Sequence, residues 1–172
     1  SAFRRDTLGF VFQDFNLLDT LTLEENIALP LTISEKAPGE IITQVRRIAD
    51  RLHIGDALQK FPSQVSGGQK QRCAFARAMV CNPRLIMADE PTGSLDSHAS
   101  RVLLTFMEEL NQDMGATILM VTHDAFSASY GSRILFLKDG RIFNEIHRGE
   151  KTQQNNIQRK NGRALATGSC KD

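Results

Sequence analysis

Two unbroken apolar runs, Leu85-Ile86-Met87-Ala88 and Thr117-Ile118-Leu119-Met120-Val121, constrain the fold of this 172-residue chain more than any other feature. Neither alternates polar with apolar, so each reads as a central strand of a sheet covered on both faces. Between them Val102, Leu103, Phe106, Met107 and Leu110 recur at helical spacing, and Gly115 supplies a stop. Strand, helix, strand is the grammar of a parallel βαβ unit and points to an α/β fold.

The remaining segments fit that grammar. Residues 8–12 (LGFVF) predict a short buried strand ending on Gln13 and Asp14. Thr22 with Glu25 three residues on is a capping-box signal for a short helix that Pro30 should close. After Pro38-Gly39, the spacing of Ile41, Val45, Ile48, Ala49 and Leu52 predicts an amphipathic helix with Gly55 as its stop. Another helix is expected over residues 66–80, with Ala74, Phe75, Ala78 and Met79 on one stripe. Lys138-Asp139-Gly140 between apolar-rich residues 133–137 and 141–146 predicts a hairpin. From Gly149 onward the chain is polar and aperiodic, so residues 149–172 are expected to form a flexible tail.

Charge and cysteine usage narrow the function classes. The 21 basic and 20 acidic side chains nearly cancel, which removes the footprint of a protein that binds nucleic acid or anionic lipid through overall charge. The longest apolar runs are far too short to cross a bilayer, so a membrane role would have to come through a partner. No signal peptide is visible. Cys73, Cys81 and Cys170 make an odd count without CxxC spacing, which argues against a disulfide framework or a zinc site and suits a reducing cytoplasm.

Each apolar strand ends in polar residues, at the edge where open α/β sheets place their ligands. Asp89-Glu90 follows one and Thr122-His123-Asp124 the other. Two adjacent carboxylates leaving a buried strand suit a division of labour, in which Asp89 holds a hydrated Mg2+ and Glu90 takes a proton from water. Acids also end strands as plain turn residues. Ser66-Gly67-Gly68-Gln69 opens a helix and offers free N–H groups, a positive dipole end and two residues without a β-carbon, as an anionic phosphate would require. It also reads as an ordinary helix cap. Gln13 could present its amide to a metal or water or be a polar loop residue, and His123 could equally be structural.

Order and spacing change the balance. VSGGQ (65–69), LIMADE (85–90), SLD (94–96) and VTHD (121–124) resemble the signature, Walker B strand, D-loop and switch histidine of the nucleotide-binding domain of ABC transporters, and Phe12-Gln13 resembles the Q-loop. These motifs stand in family order from Gly9 to Gly140. The wording around them, including FQDFNLLDTLTLEENIALPL and ADEPTGSLDS, is most similar to the subfamily of lipoprotein release, macrolide export and peptide-antibiotic resistance.

The resemblance implies a P-loop NTPase-like parallel sheet with flanking helices and a helical subdomain at about residues 30–80, within a partial ATPase domain over 1–148. It implies two copies pairing head to tail around ATP, with Ser66, Gly67, Gly68 and Gln69 acting in trans on the γ-phosphate. Asp89 and Gln13 would complete the Mg2+ environment, Glu90 would polarise the attacking water, His123 would contact the γ-phosphate, and Asp96 would join the two sites. A separate transmembrane permease would be driven by closure and release, placing the chain on the cytoplasmic face of the membrane. No nucleic-acid partner is implied.

One expected part is absent from the 172 residues. The phosphate-gripping loop GxxxxGK[ST] occurs nowhere in them, and Gly67-Gly68-Gln69-Lys70 belongs to the signature. In the family that loop lies upstream of the Q-loop with further strands, so the expectation is a chain truncated before Ser1 and inactive alone. Two rival readings remain at this level: a soluble ABC-type ATPase acting on ribosomes or DNA, and a non-catalytic remnant.

Overall fold

In the computed structural model, which describes residues 8–148, three parallel strands set the frame: β1 (Leu8–Val11), β2 (Leu85–Asp89) and β3 (Thr117–Val121), in that spatial order. Gly9 pairs with Ile86 and Ile86 with Ile118, and Val11 pairs with Ala88 and Ala88 with Met120. The described residues divide into two compact units, with the division between Tyr130 and Gly131. Three helices separate β1 from β2: α1 (Leu23–Ile33), α2 (Pro38–Arg51) and α3 (Gly67–Met79). One long helix, α4 (Ser97–Met114), joins β2 to β3, and a single turn, α5 (Ala125–Ala128), follows. The second unit contains the antiparallel hairpin of β4 (Arg133–Lys138) and β5 (Arg141–His147). Its turn residues Asp139 and Gly140 both have positive φ, 49° and 73°, as the Asp-Gly signal requires.

α1 starts where the capping box predicts. Thr22 Oγ1 accepts from the Glu25 N–H at 3.2 Å, and Glu25 Oε2 accepts from the Thr22 N–H at 2.8 Å. It does not stop at Pro30 but runs on to Ile33 with the proline inside. Leu23, Ile27 and Leu31 recur every four residues and are each fully buried. Ending the helix at Pro30 would expose Leu31, whose burial is worth about 1.5–3 kcal/mol, which offsets much of the roughly 3 kcal/mol an interior proline costs.

Helix α2 has Pro38 in its first turn, where a missing N–H does no harm, and buries Val45, Ile48 and Ala49. Its stop is not Gly55. Leu52 caps it and His53 takes the left-handed conformation at φ 52°, while Gly55 opens a short 3-10 turn. A β-carbon on Gly55 would stand 2.7 Å from Asp50 Oδ1, so close approach explains the glycine. Helix α4 ends as expected, with Gly115 at φ 62°.

The two faces of the sheet differ among the described residues. Val11, Ile86 and Ala88 are buried on the face where α3 packs on β1 and α4 on β3. On the opposite face Phe10, Met87, Leu119 and Val121 are 44%, 36%, 47% and 57% exposed. Residues 149–172, expected as a tail, lie outside the described residues.

Gly9 marks the tightest joint between layers: a β-carbon there would stand 2.5 Å from the Ala78 carbonyl oxygen of α3. Backbone cannot move aside cheaply, so Gly9→Ala is expected to destabilise by about 1–3 kcal/mol. Gly39→Ala, in the first turn of α2 with nothing within 4 Å, should be neutral or stabilise by up to about 1 kcal/mol. Urea unfolding of the two variants checks the contrast, and equal midpoints would show that the α3–β1 joint is looser than described.

Candidate active site

Glu90 begins where β2 stops. Its N–H still donates to the Val121 carbonyl at 2.9 Å, so the β2–β3 pairing runs one residue past the strand. Its backbone then turns left-handed, at φ 44°, a conformation that costs a residue with a side chain about 1–3 kcal/mol. The turn is held by the Gly93 N–H donating to the Glu90 carbonyl at 3.0 Å. Its effect is to swing the carboxylate toward the end of β3. Oε1 accepts from the His123 N–H at 2.8 Å and lies 2.6 Å from His123 Nδ1, while Oε2 accepts from Thr122 Oγ1 at 3.1 Å.

A carboxylate only accepts here, so Nδ1 of His123 carries the ring proton that faces it. Burial pushes the Glu90 carboxyl upward more than any other single influence. The His123 ring and backbone N–H, the Thr122 hydroxyl and the His123 charge together outweigh burial and hold it below the usual range. Glu90 is therefore ionised at neutral pH, with its side chain 18% exposed and the His123 side chain 88% exposed.

Gln13 arrives from β1. A β-carbon on Gly93 would stand 2.9 Å from both Cδ and Nε2 of Gln13, so its amide lies flat against the turn that follows Glu90. Ser94 Oγ donates to the Gln13 carbonyl at 3.2 Å. Asp89, the last residue of β2, is exposed beside this group. Gln13, Glu90 and His123 thus come from the ends of three neighbouring parallel strands, although 110 residues separate the first from the last by subtraction of their positions, 123 − 13.

Ser66 caps α3, accepting from the Gln69 N–H at 3.3 Å while Gln69 Oε1 accepts from the Ser66 N–H at 3.0 Å. Ser66 is exposed. A β-carbon on Gly67 would only reach ordinary contact distance from Ser94, Leu95 and Phe15, whereas one on Gly68 would meet that of Ala99 at 3.1 Å. Part of the need for Gly68 is therefore the packing of α3 on α4. Asp96 caps α4, accepting from the His98 and Ala99 N–H groups at 2.9 Å each. The Ala99 bond is the largest influence holding the Asp96 carboxyl below its usual range.

Thr122 was not singled out from the sequence, nor was the relay beyond it. Ser127 Oγ donates to Asp124 Oδ2 at 2.7 Å, so the buried 2.9 Å contact between Thr92 and Ser127 has Thr92 as donor. That chain ties the turn after Glu90 to the turn after His123. Buried Thr92 sits in a turn and buried Ser127 in the single helical turn α5, both too short to show a periodicity that could mark them. Among the described residues no cluster of three or more His, Cys, Asp or Glu could hold a metal. One carboxylate and one amide oxygen suit Mg2+, which keeps several waters and binds substrate phosphates.

The sequence profile described as "ABC transporter" matches residues 1–93. The chain belongs to the ABC transporter family. It is 56% identical over 151 residues to the ABC transporter ATP-binding protein YxdL of Bacillus subtilis, covering 88% of this chain and 59% of that protein. It is 47% identical over 154 residues to the bacitracin export ATP-binding protein BceA of Halalkalibacterium halodurans, covering 90% of this chain and 61% of that protein. This ABC chain therefore spans about three fifths of the length of those relatives. Its fold matches that of MJ0796 of Methanocaldococcus jannaschii, solved as a dimeric ABC transporter cassette, with a TM-score of 0.76 at 40% identity over 86% of this chain and 66% of that one. The architecture is the ABC cassette fold, with a parallel sheet and flanking helices.

The depressed Glu90 carboxyl makes a signed prediction. A carboxylate whose folded value lies below its unfolded value of about 4.3 adds stability above that pH and loses it as pH falls through the folded value. Asp96 and Asp124 are held low in the same sense. Urea midpoints should therefore drop as pH is lowered from 5 toward roughly 3, and Glu90→Gln should flatten part of that slope. A variant as acid-sensitive as the wild type would place the proton uptake elsewhere.

Proposed function

We propose that this chain is part of the ATP-hydrolysing subunit of an ABC exporter, and that Glu90 is the general base of its hydrolytic site. The observation that carries the reading is the ionised Glu90 carboxylate, bonded to His123 and flanked by Asp89 and Gln13 at the ends of three parallel strands. Oε2 of Glu90 accepts from Thr122 Oγ1 and keeps a lone pair to take a proton from water. His123, held through Nδ1, turns Nε2 outward to meet a γ-phosphate oxygen, and donation to that oxygen needs a proton on Nε2 as well. Asp89, with the Gln13 amide, would hold Mg2+. The ion supplies charge neutralisation between the β- and γ-phosphates when bound.

Exposed Ser66 and the N-terminus of α3 are available to a second copy, so Ser66, Gly67, Gly68 and Gln69 would serve the partner's nucleotide. Asp96, in the turn that Ser94 ties to the Gln13 carbonyl, would communicate between the two sites. Residues 1–148 act as a partial ATPase domain, and the helical part at about residues 30–80 docks a transmembrane permease on the cytoplasmic face. No described helix is long and apolar enough to cross a membrane. The likeness to a bacitracin export subunit supports export as the direction of transport.

In the native gene product Glu90→Gln is expected to bind MgATP normally and cut steady-state hydrolysis at least a hundredfold. Unchanged hydrolysis would remove Glu90 as the base. The 172 residues alone, which contain no GxxxxGK[ST] run, should bind MgATP weakly, because that loop supplies the backbone nest and the lysine for the phosphates. Titration calorimetry giving micromolar affinity for this stretch would show that the remaining contacts suffice.

A further inference from the structure

Gln71 lies on α3 one helical turn before Phe75 and is fully buried. Its Nε2 donates to the Phe12 carbonyl at 3.2 Å and to the Pro91 carbonyl at 2.7 Å. Phe12 immediately precedes Gln13, and Pro91 immediately follows Glu90. One amide group thus bonds the backbone next to both residues. Two carbonyl acceptors admit only the amino end of the amide, which sets its orientation. The buried Oε1 meets no hydrogen-bond donor among the described residues. The side chain therefore leaves half its bonding capacity unused to hold this pair of loops.

We infer that Gln71 is a positioning residue for hydrolysis, spacing Gln13 and Glu90 by clamping the Phe12 and Pro91 carbonyls together. The inference rests on the reading of Glu90 and Gln13 as hydrolytic groups. Neither loop is regular where Gln71 grips it. Glu90 has left-handed φ, and past Gln13 the loop from β1 has two more such residues, Phe15 at 60° and Asn16 at 48°. Proline at 91 offers no N–H, so the turn has one donor fewer with which to brace itself. The same helix grips the β1 loop again further along, where Arg77 donates to the carbonyls of Phe15 at 3.2 Å and Asn16 at 2.6 Å. Both grips come from the helix that the Ser66 cap opens, so one helix carries the proposed trans contact and holds the two loops.

The test uses the native gene product and measures ATP hydrolysis well below each variant's unfolding midpoint. Gln71→Met keeps the length and removes both donors, while Gln71→Glu places an acceptor against two carbonyls. Both are expected to lower kcat by between about tenfold and a hundredfold, with KM for MgATP moving less than about threefold, because the loops align water and base rather than bind the nucleotide. A folded Gln71→Met variant with kcat within about twofold of wild type overturns the inference. So does a loss carried in KM, or the failure of both variants to fold, which would make Gln71 a folding residue. Glu90→Gln measured alongside separates the two levels. Normal turnover there removes the hydrolytic reading itself, whereas a stalled Glu90→Gln beside an active Gln71→Met removes only the positioning role.

Discussion

The in-register parallel pairing of β1, β2 and β3 is the constraint on which the site depends. It brings the C-terminal ends of three strands side by side, and the pairing continues past β2 through the Glu90 N–H to the Val121 carbonyl. A slip of one residue would exchange the two faces of β2, turning Ile86 and Ala88 out of the core. It would also carry Glu90 away from Thr122 and His123. The hydrophobic pattern that specifies the core therefore also specifies the spacing of the polar groups at the strand ends.

Left-handed backbone also occurs at this edge. Phe15, Asn16 and Glu90 all have positive φ without being glycine. Such residues persist only where their surroundings over-determine them, and here the surroundings are identifiable: Arg77 and Gln71 of α3, Gly93, and the three contacts on the Glu90 carboxylate. A rigid helix packed on β1, with Gly9 allowing the close approach, is what makes those grips firm. Core packing and site geometry are in this sense the same structure seen at two distances from the strand ends.

Much was legible from residue order. The capping box at Thr22, the helix cap at Ser66, the Asp-Gly hairpin and the Gly115 stop are local signals, written within four residues, and each appears in the structure. Two helix ends differ from the local signals: Pro30 lies inside α1, since Leu31 beyond it is buried by distant parts of the chain, and His53 rather than Gly55 takes the left-handed conformation past α2.

The sequence by itself determined the fold class, the family and the identity of the groups at the strand ends, because periodicity, turn chemistry and motif order are all encoded over short stretches. Only the tertiary structure decided which groups touch. That Glu90 meets His123 and Thr122, that Thr92 reaches Asp124 through Ser127, and that Gln71 spans Phe12 and Pro91 follow from contacts between segments 20 to 59 residues apart and from a left-handed turn at a non-glycine residue. Hydrogen bonds of that kind depend on distances of a few tenths of an ångström, which packing sets and which no linear pattern of residue types records.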